Sequence, residues 1–388
     1  MKSSILTFFL SLFLGLDLAH GAVIMVSPGQ SVQAAVDGAS SGDEIIIQGG
    51  VFNENVTVIT KALHFRSFST ISEIHSLSFF NSPGQSTIQN LQLSDLNATN
   101  SDLLVKRATI GNNVNIDGGK FQILQSTITE KLTCKASVSH ILYNDIRYAE
   151  IEGNSTITGN HFNGRSLRGV GIDLNGTATR AVIRNNRIHS FFTAQVSHLS
   201  NSCLGIWVQN GASAAILNNL IYDCKETDHR GNNSRVGIGI LVESSSGTKI
   251  IGNALWNCSC TNSTIGNRAI WAPASGVIVE NNLFWNSNKV GGGVVDRNSV
   301  EGEPKFTDKN NGDFTLASDS PCINAGPPDP QYNDRDGSRN DIGMFGGHNF
   351  IPDGRTTHKP IVLGLDVAPI AVPVGGTVTI ESTGATVK

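Results

Sequence analysis

The sequence carries little charge of either sign. Charged residues make up 15% of the 388 residues, and 28 basic against 32 acidic residues give a formal net charge of −4. A nucleic-acid-binding protein usually presents a basic face to the phosphate backbone. We therefore expect no nucleic-acid partner.

Long apolar runs are also scarce, and the one clear example lies at the N-terminus. Lys2 precedes an almost wholly apolar stretch over residues 5–18, and Ala19-His20-Gly21 follows with small residues at the two positions that a signal peptidase reads. The stretch is too short to span a membrane. We expect a signal peptide over residues 1–21, a secreted, periplasmic or cell-surface location, and no transmembrane segment in the mature chain. An uncleaved anchor is the alternative.

An internal repeat is present instead. Each copy has an aliphatic residue, an Asn three positions later, and an apolar residue two positions further on. Each copy fits one coil of a solenoid, in which equivalent residues stack in parallel strands. We expect the Asn side chains to form one column in a tight turn, because Asn tolerates the left-handed conformation. The five copies are Ile157–Phe162, Ile183–Ile188, Ile216–Ile221, Ile250–Leu255 and Val279–Phe284.

This periodicity predicts an all-β chain, a parallel β-helix over residues 22–349 with a closing tail. Residues 350–388 are expected to form a linker and a terminal β segment, and we expect a monomer. Ser31-Val-Gln-Ala-Ala-Val-Asp predicts a short helix that covers the first coil.

Both ends of the predicted β-helix resemble a known class. Residues 31–58, with Gln-Ala-Ala, Gly-Asp before a strand and Gly-Val-Phe-Asn-Glu-Asn-Val, look like the opening of secreted proteins of the pectate-lyase-like class. Residues 304–343 resemble the tail that closes many bacterial β-helix proteins. The resemblance implies a right-handed parallel β-helix. Its families include polysaccharide lyases, hydrolases and esterases, and also proteins with no assigned activity.

Three insertions on successive coils, 191–204, 224–237 and 258–267, should lie side by side, where solenoids often bind ligands. A lyase needs cations and a base, and a hydrolase needs two carboxylates about 5–9.5 Å apart. The middle insertion offers both, although a solvated surface loop is the alternative. The catalytic candidates are Lys225, Asp228, His229, Arg230 and Arg235, with Asp223 and Glu226 as further carboxylates.

Flat aromatic rings suit the C–H faces of sugars. Five rings near the insertions are substrate-binding candidates, and the alternative is a satellite core that the insertions cover. These are Trp207, Tyr222, Trp256, Trp271 and Trp285.

The sequence also suggests a metal site and a disulfide, each with an alternative. Asp334, Asp336, Ser338 and Asn340 offer oxygen ligands at alternate positions, so a calcium ion is a candidate cofactor; a polar turn is the alternative.

The six cysteines show no zinc spacing. Cys224 and Cys258 each follow a repeat Asn by the same interval, so we predict that they are neighbours and form a disulfide, with free thiols as the alternative.

The function predicted from the sequence is binding of an extracellular polysaccharide, with depolymerisation as a further step. An enzyme of this kind would be a polysaccharide lyase or a glycoside hydrolase. The alternatives are a non-catalytic surface or matrix scaffold with an adhesion role, and a metal-binding periplasmic protein.

Overall fold

The computed structural model describes residues 21–67, 72–167, 169–193, 202–226, 236–243, 247–260, 268–347, 361–368 and 379–385. Two parallel sheets account for most of these residues, and successive coils add one short strand to the first sheet, A, and one to three strands to the second, B. This is a parallel β-helix, as the repeat predicted. Residues 1–20 of the predicted signal peptide, which runs to Gly21, lie outside the described residues. Within the described ranges, no helix is both long and apolar enough to cross a membrane.

Sheet A contains 13 strands among the described residues. They are Val23–Val26, Glu44–Ile47, His64–Ser67, Ser86–Gln89, Leu103–Lys106, Lys120–Leu124, Val138–Leu142, Asn154–Thr158, Arg180–Arg184, Ser213–Leu217, Lys249–Ile251, Ile278–Glu280 and Asp296–Arg297.

Sheet B contains 20 strands in the same described part of the chain. They are Gly50–Ile59, Ser72–Phe80, Gln92–Thr99, Thr109–Ile110, Val114–Asp117, Thr127–Lys135, Asp145–Ile151, His161–Leu167, Val170–Leu174, Arg187–Thr193, Ser202–Val208, Leu220–Tyr222, Lys225–Glu226, Val236–Val242, Ala254–Trp256, Ser259–Cys260, Arg268–Trp271, Leu283–Trp285, Asn288–Gly291 and Val300–Glu301.

The core consists of columns of equivalent apolar side chains, one residue per coil. The aliphatic position of the repeat pairs in register from coil to coil in sheet A, and the apolar position after the Asn does the same in sheet B. These side chains are almost completely buried. Stacking removes them from water along the whole solenoid, which is the main source of stability for a chain of this kind.

The repeat Asn residues form a buried hydrogen-bonded ladder at the turn from sheet A to sheet B. In Asn219, the side-chain amide donates to the carbonyl of Ile183 (2.9 Å) and to Oδ1 of Asn253 (2.9 Å), and its own Oδ1 accepts from the backbone N–H of Asn186 (3.0 Å). The predicted column from Asn160 to Asn282 is thereby confirmed. It extends one coil further, to Asn144.

The left-handed residue of each turn is the one before the ladder Asn, which corrects the prediction for the ladder itself. Asn185, Asn218 and Asn281 have φ values of 56°, 51° and 52°. A left-handed residue sends its side chain away from the core, so these amides point towards the tail. Asn218 donates to the carbonyl of Asp341 at 2.7 Å, and Asn185 donates to that of Gly346 at 2.8 Å.

The first coil is covered by the predicted helix, Val32–Gly38. Val32 and Val36 are buried against the core, and the Ser31 hydroxyl accepts a hydrogen bond from the backbone of Ala34. Glu54 accepts hydrogen bonds from the N–H groups of Val32 and Gln33. The N-terminal donors of the helix are therefore satisfied by a neighbouring strand.

The tail after the last coil folds back along the outside of the solenoid. It contains an antiparallel hairpin, Phe306–Asp308 and Asp313–Leu316, and two short 3₁₀ turns, Lys309–Asn311 and Pro330–Tyr332. Further along, Ile361–Ala368 and Thr379–Ala385 pair as an antiparallel ribbon. These strands lie within the terminal segment for which β structure was predicted.

Candidate functional site

The predicted catalytic insertion is described only at its start. Lys225 Nζ lies 2.9 Å from Asp223 Oδ1, and Asp223 also accepts a hydrogen bond from the Asn257 side chain. The backbone at Lys225–Glu226 pairs with two neighbouring coils. Asp228, His229, Arg230 and Arg235 lie outside the described residues, as does the side chain of Glu226, so this cluster stays a prediction.

The aromatic column on the outer side of sheet B consists of His189, Tyr222, Trp256 and Trp285, which pair in register. The ring centroids of Tyr222 and Trp256 are 4.2 Å apart, and the two side chains are only 6% and 8% exposed.

Two phenylalanines of the tail hairpin cover these rings. Phe314 lies 5.5 Å from the Tyr222 ring, and Phe306 lies 5.4 Å from the Trp256 ring. The prediction that Tyr222 and Trp256 offer open faces to a sugar is therefore wrong. The tail buries them as a satellite core, a role that the sequence had offered only to the insertions.

Trp285 differs from its neighbours in the column because it is only partly buried. It lines a cleft of about 440 Å³ together with Asn286, Asn288 and Glu301. Lys309 Nζ lies 4.4 Å from the centre of the ring. A polar cleft with one aromatic wall is compatible with the predicted sugar-binding role of Trp285.

The other two predicted aromatic residues sit on a second outward column. Trp207 pairs with Leu241, which pairs with Trp271. Both indole rings are partly buried and pack around the fully buried side chains of Leu204, Ile238 and Leu241. They therefore help to form a small apolar cluster outside the main core. Trp207 Nε1 is buried and has no acceptor among the described residues.

The same outward column carries two adjacent carboxylates at its other end. Glu150 pairs in register with Asp173, and Asp173 pairs with Trp207; we call these three residues the carboxylate column. Glu150 forms an ion pair with Lys131 at 2.5 Å, and Gln209 donates a hydrogen bond of 2.8 Å to Asp173. Both carboxylates are partly buried and lie on the solvent side of sheet B.

Asp173 has the electrostatics of a proton donor. Burial, helped by the nearby charge of Glu150, raises the pKa of this carboxyl to about 6, against the lowering effects of the Gln209 hydrogen bond and the charge of Lys131. A carboxylic acid with a pKa near neutrality can hold a proton and also release it during a reaction. Asp173 thus differs from Glu150, whose ammonium partner Lys131 pairs with it as an ion.

Sequence reasoning missed this pair because Glu150 lies in a region whose coils could not be assigned singly. Asp173 could be recognised in the segment Gly171-Ile-Asp-Leu174, because it occupies the outward position that Trp207 and Trp271 occupy in later coils. An acidic residue at an outward strand position beside a second acidic residue on the previous coil was the available signal.

The predicted calcium ligands do not converge. Asp334 accepts hydrogen bonds from the backbone N–H groups of Asp341 and Gly347, whereas Asp336 caps Ser338 on the surface. Asn340 is fully buried, and its amide donates to Asn218 and to the carbonyl of Tyr332.

The segment is therefore built as a polar turn that fastens the tail to the outer Asn residues. Among the residues described, no three His, Cys, Asp or Glu side chains are grouped as metal ligands would be.

Cys224 and Cys258 lie at equivalent positions of adjacent coils, but the expected disulfide between them is not formed, and both are buried free thiols. Each sulfur points to a backbone carbonyl of its own coil, Tyr222 and Trp256 respectively. In-register strands hold equivalent Cβ atoms about 4.8 Å apart, whereas a disulfide prefers about 3.8 Å. Burial raises the pKa of the Cys224 thiol well above its ordinary value, so it stays protonated.

Comparison with known proteins finds a likeness to solved structures but no similar sequence. No protein-family model matches the chain, and no curated protein matches it. A solved structure described as the crystal structure of pectate lyase Pel9A is similar over 85% of this chain and 97% of that one, with 13% identity and a TM-score of 0.42. The fold assignment rests on the strand pairing of this chain itself, which forms a parallel β-helix.

Proposed function

We propose that this protein hydrolyses glycosidic bonds of an extracellular polysaccharide, with Asp173 as the acid and Glu150 as its partner carboxylate. The observation that supports this role is the in-register pairing of the two residues on the solvent side of sheet B. Equivalent residues on adjacent parallel strands lie about 4.8 Å apart. The carboxyl groups of retaining glycosidases are about 5–5.5 Å apart.

The chemistry follows the two-step scheme of such enzymes. Asp173 donates its proton to the glycosidic oxygen as the bond from that oxygen to the anomeric carbon breaks, and Glu150 forms a bond to the anomeric carbon. Asp173, now ionised, then takes a proton from water, which attacks the same carbon and releases Glu150. The two carboxyls and their proton return to the starting state.

Neighbouring side chains fit the binding of a sugar chain along the column. Trp207 follows Asp173 on the next coil, and Tyr148 pairs in register with Lys131 of the previous coil. The Arg147 guanidinium lies over the Tyr148 ring, 5.4 Å from its centroid. Aromatic rings and hydrogen-bonding side chains around paired carboxylates are the usual lining of carbohydrate sites. A chain lying parallel to the solenoid axis would contact successive coils.

The test is incubation of the purified protein with a panel of extracellular polysaccharides, followed by reducing-end assay and mass analysis of products. Asp173→Asn and Glu150→Gln are expected to lose about 10²-fold or more in rate, since each removes one of the two chemical groups. Glu152→Gln is the matched control, because Glu152 is also ion-paired on this face, with Lys135 at 3.1 Å. It should keep full activity.

Other outcomes would replace the proposal. Unsaturated product ends would indicate elimination, and activity that survives both substitutions would contradict the carboxylate pair. Loss of activity in His229→Ala alone would place the chemistry in the insertion. Binding without any product would favour the non-catalytic scaffold.

A further inference from the structure

Four polar side chains form a continuous chain at the His189 end of the aromatic column. The Nδ1 atom of His189 lies 2.7 Å from the hydroxyl oxygen of Ser190, and its Nε2 atom lies 2.7 Å from Nε2 of His161. His161 Nδ1 lies 3.6 Å from a carboxylate oxygen of Asp145, at ion-pair distance. The order is therefore hydroxyl, imidazole, imidazole, carboxylate.

The packing holds the two imidazoles in this order. The His189 ring is stacked on Tyr222 with an interplanar angle of 2° and on His161 with an angle of 20°. Tyr222 is itself fixed by two hydrogen bonds from Arg187, at 2.9 and 2.6 Å. The stacked and hydrogen-bonded Tyr222 thus orients His189.

Proton placement is determined by the contacts when both imidazoles are neutral. The ionised carboxylate of Asp145 can only accept a hydrogen bond. The neutral His161 ring therefore carries its hydrogen on Nδ1, which faces Asp145, and accepts a hydrogen bond at Nε2. His189 must then donate from Nε2, which leaves its Nδ1 as an acceptor for the Ser190 hydroxyl. This arrangement is the one that draws the proton from a serine.

Burial explains why two histidines are needed. Burial lowers the pKa of His189 to about 3, helped by the charges of Arg187 and His161, so this ring does not retain a positive charge. His161 is more exposed and lies beside Asp145, so the proton can pass on to it. Hydrogen bonding to His161 in turn lowers the pKa of Asp145, which keeps that carboxyl ionised.

Ser190 is suitably placed for attack on a substrate. It is only partly buried, and its backbone is left-handed with φ of 60°.

We propose that Ser190, His189, His161 and Asp145 form a second active site that hydrolyses carboxylic esters. The Ser190 oxygen bonds to the ester carbonyl carbon as its proton moves to His189 and the Nε2 proton of His189 moves to His161. The bond to the alcohol oxygen then breaks, and the alcohol takes the proton back by the same path. Water repeats the sequence on the acyl-serine and releases the carboxylic acid.

The test uses the full chain with two sugar-free probes, p-nitrophenyl acetate and an alkyl fluorophosphonate. We expect the fluorophosphonate to label Ser190, identified by peptide mass mapping, and we expect ester hydrolysis in parallel. Ser190→Ala should abolish labelling, and His189→Gln should slow hydrolysis by about 10²-fold or more. Asp145→Asn should have a smaller effect and should shift the pH profile, because Asp145 acts through His161.

Ser166→Ala is the matched control, because Ser166 is also an exposed left-handed serine with φ of 57°. It should retain both labelling and hydrolysis. The proposal is overturned if the wild-type protein shows no labelling and no hydrolysis above Ser190→Ala, or if the label attaches elsewhere. Circular dichroism of each variant separates loss of chemistry from loss of folding. Because neither probe contains a sugar, failure here leaves the carboxylate pair unaffected.

Discussion

Two columns of outward-facing side chains run along sheet B, and they differ in whether the tail hairpin buries them. The aromatic column is covered by the tail hairpin at Tyr222 and Trp256, where the rings are almost fully buried. Among the described residues, no hydrogen bond, ion pair or ring contact joins the tail hairpin to the carboxylate column, and Glu150 and Asp173 are only partly buried. In a strand, both are simply outward positions. The difference shows that the path of the tail decides which outward residues stabilise the fold and which remain accessible for chemistry.

The largest expected loss of stability is at Trp256, in the covered part of the aromatic column. Trp256→Ala removes a buried indole packed against Tyr222, Phe306 and Phe314. Because a cavity is left behind, we expect a loss of about 3–5 kcal/mol in the free energy of unfolding, measured by urea denaturation. Trp285→Ala, at the partly exposed end, should cost clearly less. Equal losses would contradict the covering role of the tail.

Somewhat smaller losses of stability are expected from substitution of a ladder Asn, such as Asn219, and of an outer Asn that holds the tail, such as Asn218. Asn219→Ala removes a ladder amide and leaves the backbone N–H of Asn186 buried without its acceptor, so we expect a loss of about 2–4 kcal/mol. Asn218→Ala breaks mainly the contacts that fasten the tail, together with one long hydrogen bond to Gly252, and should cost about half as much. The same denaturation series measures both, and a larger loss for Asn218→Ala would reverse the assignment of inner and outer roles.

At the His189 end of the aromatic column, the stability of the fold should depend on pH. The pKa of His189 is about 3 in the folded protein, against 6.5 ordinarily, so the unfolded chain binds more protons between these values. Stability should therefore fall as the pH drops below 6.5, by up to about 1.4 kcal/mol per pH unit. His189→Gln should flatten this acid limb between pH 6.5 and 4. An unchanged slope would indicate that His189 is not buried as described.

The buried half of this architecture was predictable because a solenoid repeats it on every coil. The aliphatic positions, the Asn column and the helix at Val32–Gly38 are each set by local periodicity or capping, so sequence spacing identifies them. The cover over Tyr222 and Trp256 was not predictable, because Phe306 and Phe314 reach them from a distant part of the chain. The Glu150–Asp173 pair also depends on the register between coils of different length, which no single repeat reveals.

The smallest expected change in stability concerns Asp173. It tests most directly whether the carboxylate column lowers the stability of the fold in order to provide an ionisable group for catalysis. Because the pKa of Asp173 is raised to about 6, the folded state binds its proton more tightly than the unfolded chain, and stability falls as the pH rises from about 4 to 6. At pH 7 the ionised group then destabilises the fold, by about 1–2 kcal/mol after allowance for its partial exposure.

The decisive measurement is the melting temperature and depolymerising rate of Asp173→Asn at pH 7, beside Trp256→Ala. Asp173→Asn is predicted to raise the melting temperature and to abolish the rate. Trp256→Ala is predicted to lower the melting temperature while the folded fraction keeps its rate. An Asp173→Asn protein that is less stable than the wild type, or that retains its rate, would contradict the account.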